Sequence, residues 1–175
     1  MKNYRVARIS SQEEPVWGKE RAPEEKLVIG RREWIALPLL GVPVLHGKID
    51  TGAYRSSLHA EQVETFELEG EEWIRFVTHS QDGKEVHCES KIAFRKRVKS
   101  STGEAKERFF IKTRFRTPGG LEWPVLMSLA DRSEMTFPLL IGRRALSSRF
   151  VVDTAGRHLL GSQSDLTGKK WQRKK

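Results

Sequence analysis

Asp50, Thr51 and Gly52 stand in a row whose residue types could do chemistry. An Asp held in a tight turn, followed by a small hydroxyl and then by a residue with no side chain, presents its carboxylate to a reacting water. Such a carboxylate serves as a general base, and a second carboxyl beside it serves as the acid. One Asp is half of that apparatus, so the other half has to come from elsewhere. Taken alone, the tripeptide also fits an Asp that caps a turn whose bend Gly52 supplies.

The elements that must position Asp50 read as strands. Residues 44–49 are an apolar-leaning run that enters the turn. Leu139, Leu140 and Ile141 form another apolar run, ending at Gly142, and Arg143, Arg144, Ala145 and Leu146 after it suit one short helix. Trp73, Arg75 and Val77 alternate with Ile74, Phe76 and Thr78. Phe109, Ile111, Thr113 and Phe115 share one face of a further strand, and Arg108, Lys112 and Arg114 share the other, interrupted by Phe110. This is the pattern of half-buried strands. Asp82-Gly83 is a hairpin signal, and Thr117-Pro118-Gly119-Gly120 marks another turn. Many short strands with frequent turns predict an all-β barrel or sandwich. No repeat with a period of about 20–50 residues is visible.

At 175 residues the chain suits one domain. The expected organisation is a charged, flexible N-terminal arm over 1–26, a folded domain over 27–161 and a basic tail over 162–175. Cys88 is the single cysteine, which excludes an intrachain disulfide and fits a reducing compartment. The N-terminus has no apolar segment of the secretory kind, and no run approaches the roughly 18 apolar residues of a membrane helix. A cytoplasmic protein without a membrane partner is expected. The net charge is +9, unevenly placed. Between Lys91 and Arg116, ten basic residues face only Glu104 and Glu107, and Lys169, Lys170, Arg173, Lys174 and Lys175 crowd the tail. Such a field attracts an anionic partner, whether nucleic acid, an acidic peptide or a ribosomal surface. It also suits a solvated face that aids solubility.

The Asp50-Thr51-Gly52-Ala53 turn followed later by Leu139-Leu140-Ile141-Gly142-Arg143 resembles the retropepsins, single-lobed aspartic peptidases in which these two segments pack beside each other. The chain is more closely similar to one bacterial family of retropepsin-like proteins, the RimB-like family, formerly labelled ATP-dependent zinc proteases. Its successive blocks resemble Ile29 to Trp34, Asp50 to Ala53, Ser57 to Ala60, Val98 to Ser101, Leu129 to Arg132, Met135 to Phe137 and Leu140 to Leu146 here. The resemblance covers residues 27–161. It implies a retropepsin-like closed β-barrel with a short helix after Gly142. Some members are associated with RimK-type ligases, which add glutamates to a ribosomal protein. Where the family usually reads Ala-x-Thr-Ser, this chain has Ala53-Tyr54-Arg55-Ser56-Ser57. Viral retropepsins carry an acidic residue four positions after the catalytic Asp, paired with the Arg of Gly-Arg. Tyr54 stands there in this chain, so Arg143 is expected to find another partner or to face solvent.

The resemblance implies an aspartic-type peptidase that works as a homodimer, each chain supplying Asp50, with Thr51 joining the two turns and Gly52 permitting close approach of substrate. It implies no cofactor and no metal. Ala53, Arg108, Lys112, Arg114, Arg132 and Arg143 are expected to bind substrate, with Arg116 on the same basic strand, and a glutamate-rich peptide or tail would suit them. A ribosomal protein or a RimK-type ligase is an expected partner. The Asp82-Gly83 hairpin is a candidate flap over the site or an ordinary surface hairpin. The rival reading is an inactive ribosome- or RNA-binding or protein-interaction module, with Phe110 and Phe115 stacking on bases. A second Asp-Thr pair, Asp153-Thr154, lacks the following Gly, and no Leu-Ile-Gly block comes after it. A hairpin turn between residues 150–152 and 158–160 is expected there. The five histidines offer no His-Glu-x-x-His metal motif, and the chain has no Walker-type phosphate loop.

Overall fold

The period-two alternation resolves into twelve strands and two short helices in the computed structural model, which describes residues 6–8, 25–99 and 105–167. The strands are β1 (Val6–Arg8), β2 (Glu25–Gly30), β3 (Arg32–Leu37), β4 (Val42–Asp50), β5 (Ser56–His59), β6 (Glu61–Leu68), β7 (Glu71–His79), β8 (Glu85–Lys99), β9 (Ala105–Arg116), β10 (Glu122–Ala130), β11 (Leu139–Gly142) and β12 (Phe150–Asp153). The helices are α1 (Arg143–Leu146) and α2 (Ser164–Thr167).

Six strands close on themselves in the order β10-β5-β11-β4-β3-β9, with β9 returning to β10. Closure removes the free edges that an open sheet would expose. The protein is therefore an all-β closed barrel with a short helix directly after Gly142, as expected. Beyond the barrel the sheet continues through β8 and β7 to β6, an open extension. Inside lie Ile35, Leu37, Leu45, Leu58, Ile111, Phe115, Trp123, Met127, Leu139 and Ile141, each almost wholly buried. Along β9, Ile111 and Phe115 alternate with Lys112 and Arg114, which fixes register there, because a one-residue slip would turn those apolar side chains outward. The Trp123 indole N–H donates to Ala145 O at 3.0 Å, which ties α1 to β10.

The described secondary structure extends past the expected boundaries at both ends. β1 falls within the arm expected over 1–26 and pairs with β2. α2 falls within the tail expected from 162, where Leu166 is buried against Ala36, Val44 and Trp34. One apolar residue in a polar stretch supplied that anchor, too weak a signal to read as periodicity. The rest of the arm and tail, including the five basic residues after 168, lies outside the described residues.

Two of the three parallel strand pairs among the described residues are built alike. β11 runs parallel to β4, with Gly142 opposite Asp50. β12 runs parallel to β2, with Asp153 opposite Gly30. The Gly-ending strands carry nearly the same hexapeptide, residues 27–32 and 139–144, differing only at Val28 and Leu140. The hairpin expected after Asp153 does not form. β12 takes a parallel partner from the start of the domain, and residues 158–160 form no strand.

Candidate active site

Asp50 is the last residue of β4, and its side chain folds back onto its own turn. Oδ1 accepts the backbone N–H of Gly52 and of Ala53, both at 3.0 Å. The other carboxylate oxygen has no hydrogen bond from the described residues, which leaves it open to a ligand. The turn is braced by the segment that follows β11: Arg143 N–H donates to Ala53 O at 2.8 Å and Arg144 N–H to Tyr54 O at 3.1 Å. Gly142 allows this contact, since a Cβ there would lie 2.4 Å from the carbonyl carbon of Arg55. Ser56 Oγ accepts the Gly142 N–H at 3.2 Å. Thr51 and Gly52 are exposed, and Ala53 is half-buried.

Arg143 does not face solvent unpartnered. Its Nη1 donates to Gly52 O at 3.0 Å and reaches Thr51 O at 3.5 Å, and its guanidinium lies 5.2 Å from the centre of the Tyr54 ring. Arg132 also belongs to this neighbourhood. Its Nε donates to Phe137 O at 3.2 Å. Partial burial lowers its pKa, and the negative charge of Asp50 acts in the opposite direction.

The basic strand is less available than its sequence suggests. Glu122, opposite Arg116 on β10, holds Arg116 at 2.9 Å and Arg114 at 3.4 Å. On β8, Arg95 pairs with Glu72 and Glu107, and Lys91 with Glu71. Arg108 and Lys112 are exposed on the outer face. The aromatic residues assigned to base stacking are not available for it: Phe110 is 5% exposed and Phe115 fully buried. Phe115 packs edge-on against Trp123 in the core.

The Asp82-Gly83 turn does join β7 and β8, with Gly83 in the left-handed region at φ 79°. It is no flap over Asp50. Gln81 N–H is bound to Val44 O at 3.0 Å. Val44 lies toward the start of β4, about 20 Å of extended strand from Asp50 at its end. Spacing along the sequence could not reveal which end of β4 the hairpin meets.

A cluster of two histidines and a glutamate also escaped the sequence reading, because its members lie on three strands, β5, β6 and β7. Ligand atoms of His59, Glu61 and His79 all lie within 4.8 Å of one another. The donor set does not fit a metal. Arg132 N–H points at His59 Nδ1 at 2.9 Å, so that nitrogen is the acceptor. The ring proton then sits on Nε2, which donates to Glu61 Oε1 at 2.8 Å and offers no lone pair. His59 instead holds the loop that carries Arg132. Cys88 is buried, and burial pushes its thiol up to about 12, so it stays protonated.

Asp153 makes the same local turn as Asp50. Its Oδ1 accepts Ala155 N–H at 2.9 Å and Gly156 N–H at 3.2 Å, and Arg31 N–H donates to Gly156 O at 2.9 Å. The surroundings differ. Glu33 is fully buried and accepts N–H groups from Gly30, Leu159 and Leu160 at 2.7, 3.0 and 3.2 Å. Burial raises the Glu33 pKa, and those three bonds oppose the rise. His158 stacks on Trp34 and meets His46 with their Nε2 atoms 2.9 Å apart.

The protein family described as retropepsin-like aspartic endopeptidase RimB matches residues 28–162. Proteins named probable alpha-L-glutamate ligase from Shewanella pealeana and Shewanella halifaxensis are each 38% identical over 146 residues, 82% of this chain and 32% of the relative. One of the same name from Desulfotalea psychrophila is 34% identical over 142 residues, 79% of this chain and 30% of the relative. The chain thus spans about a third of the length of these relatives. A crystal structure of a Legionella pneumophila protein of unknown function shares the fold, with a TM-score of 0.63, 24% identity, and coverage of 75% of this chain and 95% of that one. Among the described residues, no helix is long and apolar enough to cross a membrane.

Proposed function

The chain belongs to the RimB-like family of retropepsin-like aspartic endopeptidases, and from that premise we propose that it is an aspartic-type peptidase whose catalytic pair is Asp50 from each of two chains. The observation that carries the reading is the Asp50 turn. Two backbone N–H groups hold one carboxylate oxygen and leave the other for a water or a partner carboxyl.

A single lobe offers one such carboxylate, and a two-fold dimer brings two together. At about 3 Å and an effective dielectric near 20, two ionised carboxylates repel by roughly 5 kcal/mol, or about four pK units. They therefore share a proton and titrate as a coupled pair. The ionised Asp50 takes a proton from water as the water attacks the scissile carbonyl. The protonated Asp50 polarises that carbonyl and then supplies the proton that the departing amine needs. Thr51 joins the two turns, and Gly52 lets the substrate backbone approach. Replacement by Asp50→Asn is expected to leave fold and dimer intact and to end hydrolysis. Cleavage surviving in that purified variant removes Asp50 from the mechanism.

The substrate we propose is a glutamate-rich peptide or tail. The relatives' name concerns glutamate ligation, and exposed Arg108 and Lys112, with Arg132 and Arg143 near Asp50, give this chain cations to meet carboxylates. Arg114 and Arg116 can contribute only by exchanging Glu122 for the substrate. A RimK-type ligase, or the ribosomal protein such a ligase modifies, is the partner that follows, in a cytoplasmic setting that suits a single buried thiol. Apparent KM for an acidic peptide should rise with added salt, because surface charge pairs are screened. Preference for neutral apolar peptides refutes this substrate class while leaving the Asp50 chemistry standing.

A further inference from the structure

Tyr54 is 48% exposed at the lip of the Asp50 turn, and three guanidinium groups gather around its ring. Arg143 lies 5.2 Å from the ring centre, Arg144 5.4 Å and Arg55 5.6 Å. A cation near an aromatic face is attracted by the negative face of the ring. Arg143 is the informative member, because the same guanidinium that meets Tyr54 also donates to the carbonyls of Gly52 and Thr51. Those carbonyls belong to the turn whose N–H groups aim Asp50. Arg55 continues the series. It lies 5.0 Å from the Phe94 ring and 5.3 Å from the Phe110 ring, and those two rings are stacked with centres 4.4 Å apart. The Asp50 turn is thereby tied to α1 on one side and to β8 and β9 on the other.

The second Asp turn has no such arrangement. Arg157 stands where Tyr54 does, counted from the Asp, and Arg31 stands where Arg143 does. An arginine side chain has many rotamers, and one that only meets exposed carbonyls loses that freedom for a modest return. A ring beneath it narrows the choice.

We propose that Tyr54 is a positioning residue for Asp50: its ring holds the Arg143 guanidinium against the Gly52 and Thr51 carbonyls and so fixes the turn that aims the carboxylate. The kinetic part of this role rests on Asp50 being the catalytic group, as proposed above. The phenol hydroxyl plays no part, so Phe serves as well as Tyr. Leucine retains apolar volume without the ring. Glutamate substitutes an ion pair for the ring contact.

The test compares Tyr54→Phe, Tyr54→Leu and Tyr54→Glu in the full chain. It follows the Arg143 Nε–H resonance and amide exchange at Gly52 and Ala53 by NMR, together with kcat and KM. A contact of up to about 1 kcal/mol corresponds to roughly fivefold. Tyr54→Leu should lose the ring-current shift at Arg143, speed exchange at both amides by about that factor, and lower kcat by more than it raises KM. Tyr54→Phe should match the parent, and Tyr54→Glu should recover the amide protection without the ring-current shift. Unchanged exchange and an unchanged Arg143 resonance in Tyr54→Leu overturn the proposal, as does a Phe variant as damaged as the Leu variant. Failure of the peptidase reading shows differently: the parent protein cleaves nothing, while the resonance and exchange data still decide whether Tyr54 holds the turn.

Discussion

Two turns of this molecule share a backbone plan and differ in what surrounds them. Asp50 and Asp153 each end a strand, each face a glycine across a parallel ladder, and each bind the N–H groups two and three residues on. In each, the residue after the opposing glycine donates to the carbonyl three residues beyond the Asp. The Asp153 turn then packs down onto Glu33, whose carboxylate collects three N–H groups, and onto the stacked Trp34, His46 and His158. The Asp50 turn has Ala145 where Glu33 would stand, and guanidinium groups gather over it instead. The comparison teaches that an Asp-Thr turn is a structural device first. What sets the Asp50 copy apart is the Tyr54 ring with three guanidinium groups around it, in place of a buried carboxylate and stacked histidines.

The widest separation between the two turns is expected in activity. Asp50→Asn should lower kcat/KM by a factor on the order of 10^3 or more, while Asp153→Asn should leave it near the parent value. The Asn carbonyl still accepts the Ala155 and Gly156 N–H groups, so stability in that variant should change by less than about 1 kcal/mol. Equal loss of cleavage in both variants would erase the distinction between the turns.

The glycines opposite the two aspartates give the next largest contrast. An added Cβ meets Arg55 backbone at 2.4 Å for Gly142 and Arg157 and Gly156 backbone at 2.8 Å for Gly30. Both contacts are with backbone, which yields less than a side chain does. Gly142→Ala should cost about 3 kcal/mol and Gly30→Ala somewhat less, read from denaturant midpoints. The reverse order would mean that the Asp50 side is the looser of the two.

The smallest contrast is in pH dependence. Burial, the His158 ring and Arg32 hold the His46 pKa down to about 4. His158 is lowered by burial, Arg157 and Arg32. In the unfolded chain both rings take up protons near pH 6.5. The native state binds fewer protons in that window, so stability is full above about pH 6.5 and falls as pH drops toward 4. Beside the Asp50 turn, Arg55 occupies the position that His158 has beside Asp153, so that position holds no imidazole. Unfolding by denaturant at pH 7 and pH 4.5 should show the decline, and His46→Asn should flatten it.

The strand pattern, the turns at Gly83 and Gly120 and the helix after Gly142 were legible because each rests on local chemistry. The duplicated plan was not. The shared block is far shorter than a structural repeat of about 20–50 residues, and the Val-Ile-Gly strand opposite Asp153 precedes it, as residues 27–30. The two paired strands come in opposite chain order in the two halves, so the shared hexapeptide follows Asp50 but precedes Asp153. The basic strand misled for a related reason: Glu122 neutralises Arg114 and Arg116 through a register that only the closed hairpin sets. Tyr54 drew attention as a missing carboxylate, and its ring gave no sequence signal of the arginines it meets. His59 had no visible task because Arg132 reaches it only through the fold.

The central claim is that catalysis takes one Asp50 from each of two chains. Its most direct test titrates a fixed amount of the parent protein with Asp50→Asn chains under conditions of subunit exchange and follows peptide cleavage. Activity per parent chain should fall toward zero as mixed dimers with a single carboxylate form. Activity that stays constant while mixed dimers accumulate would contradict the shared pair and place catalysis within a single chain.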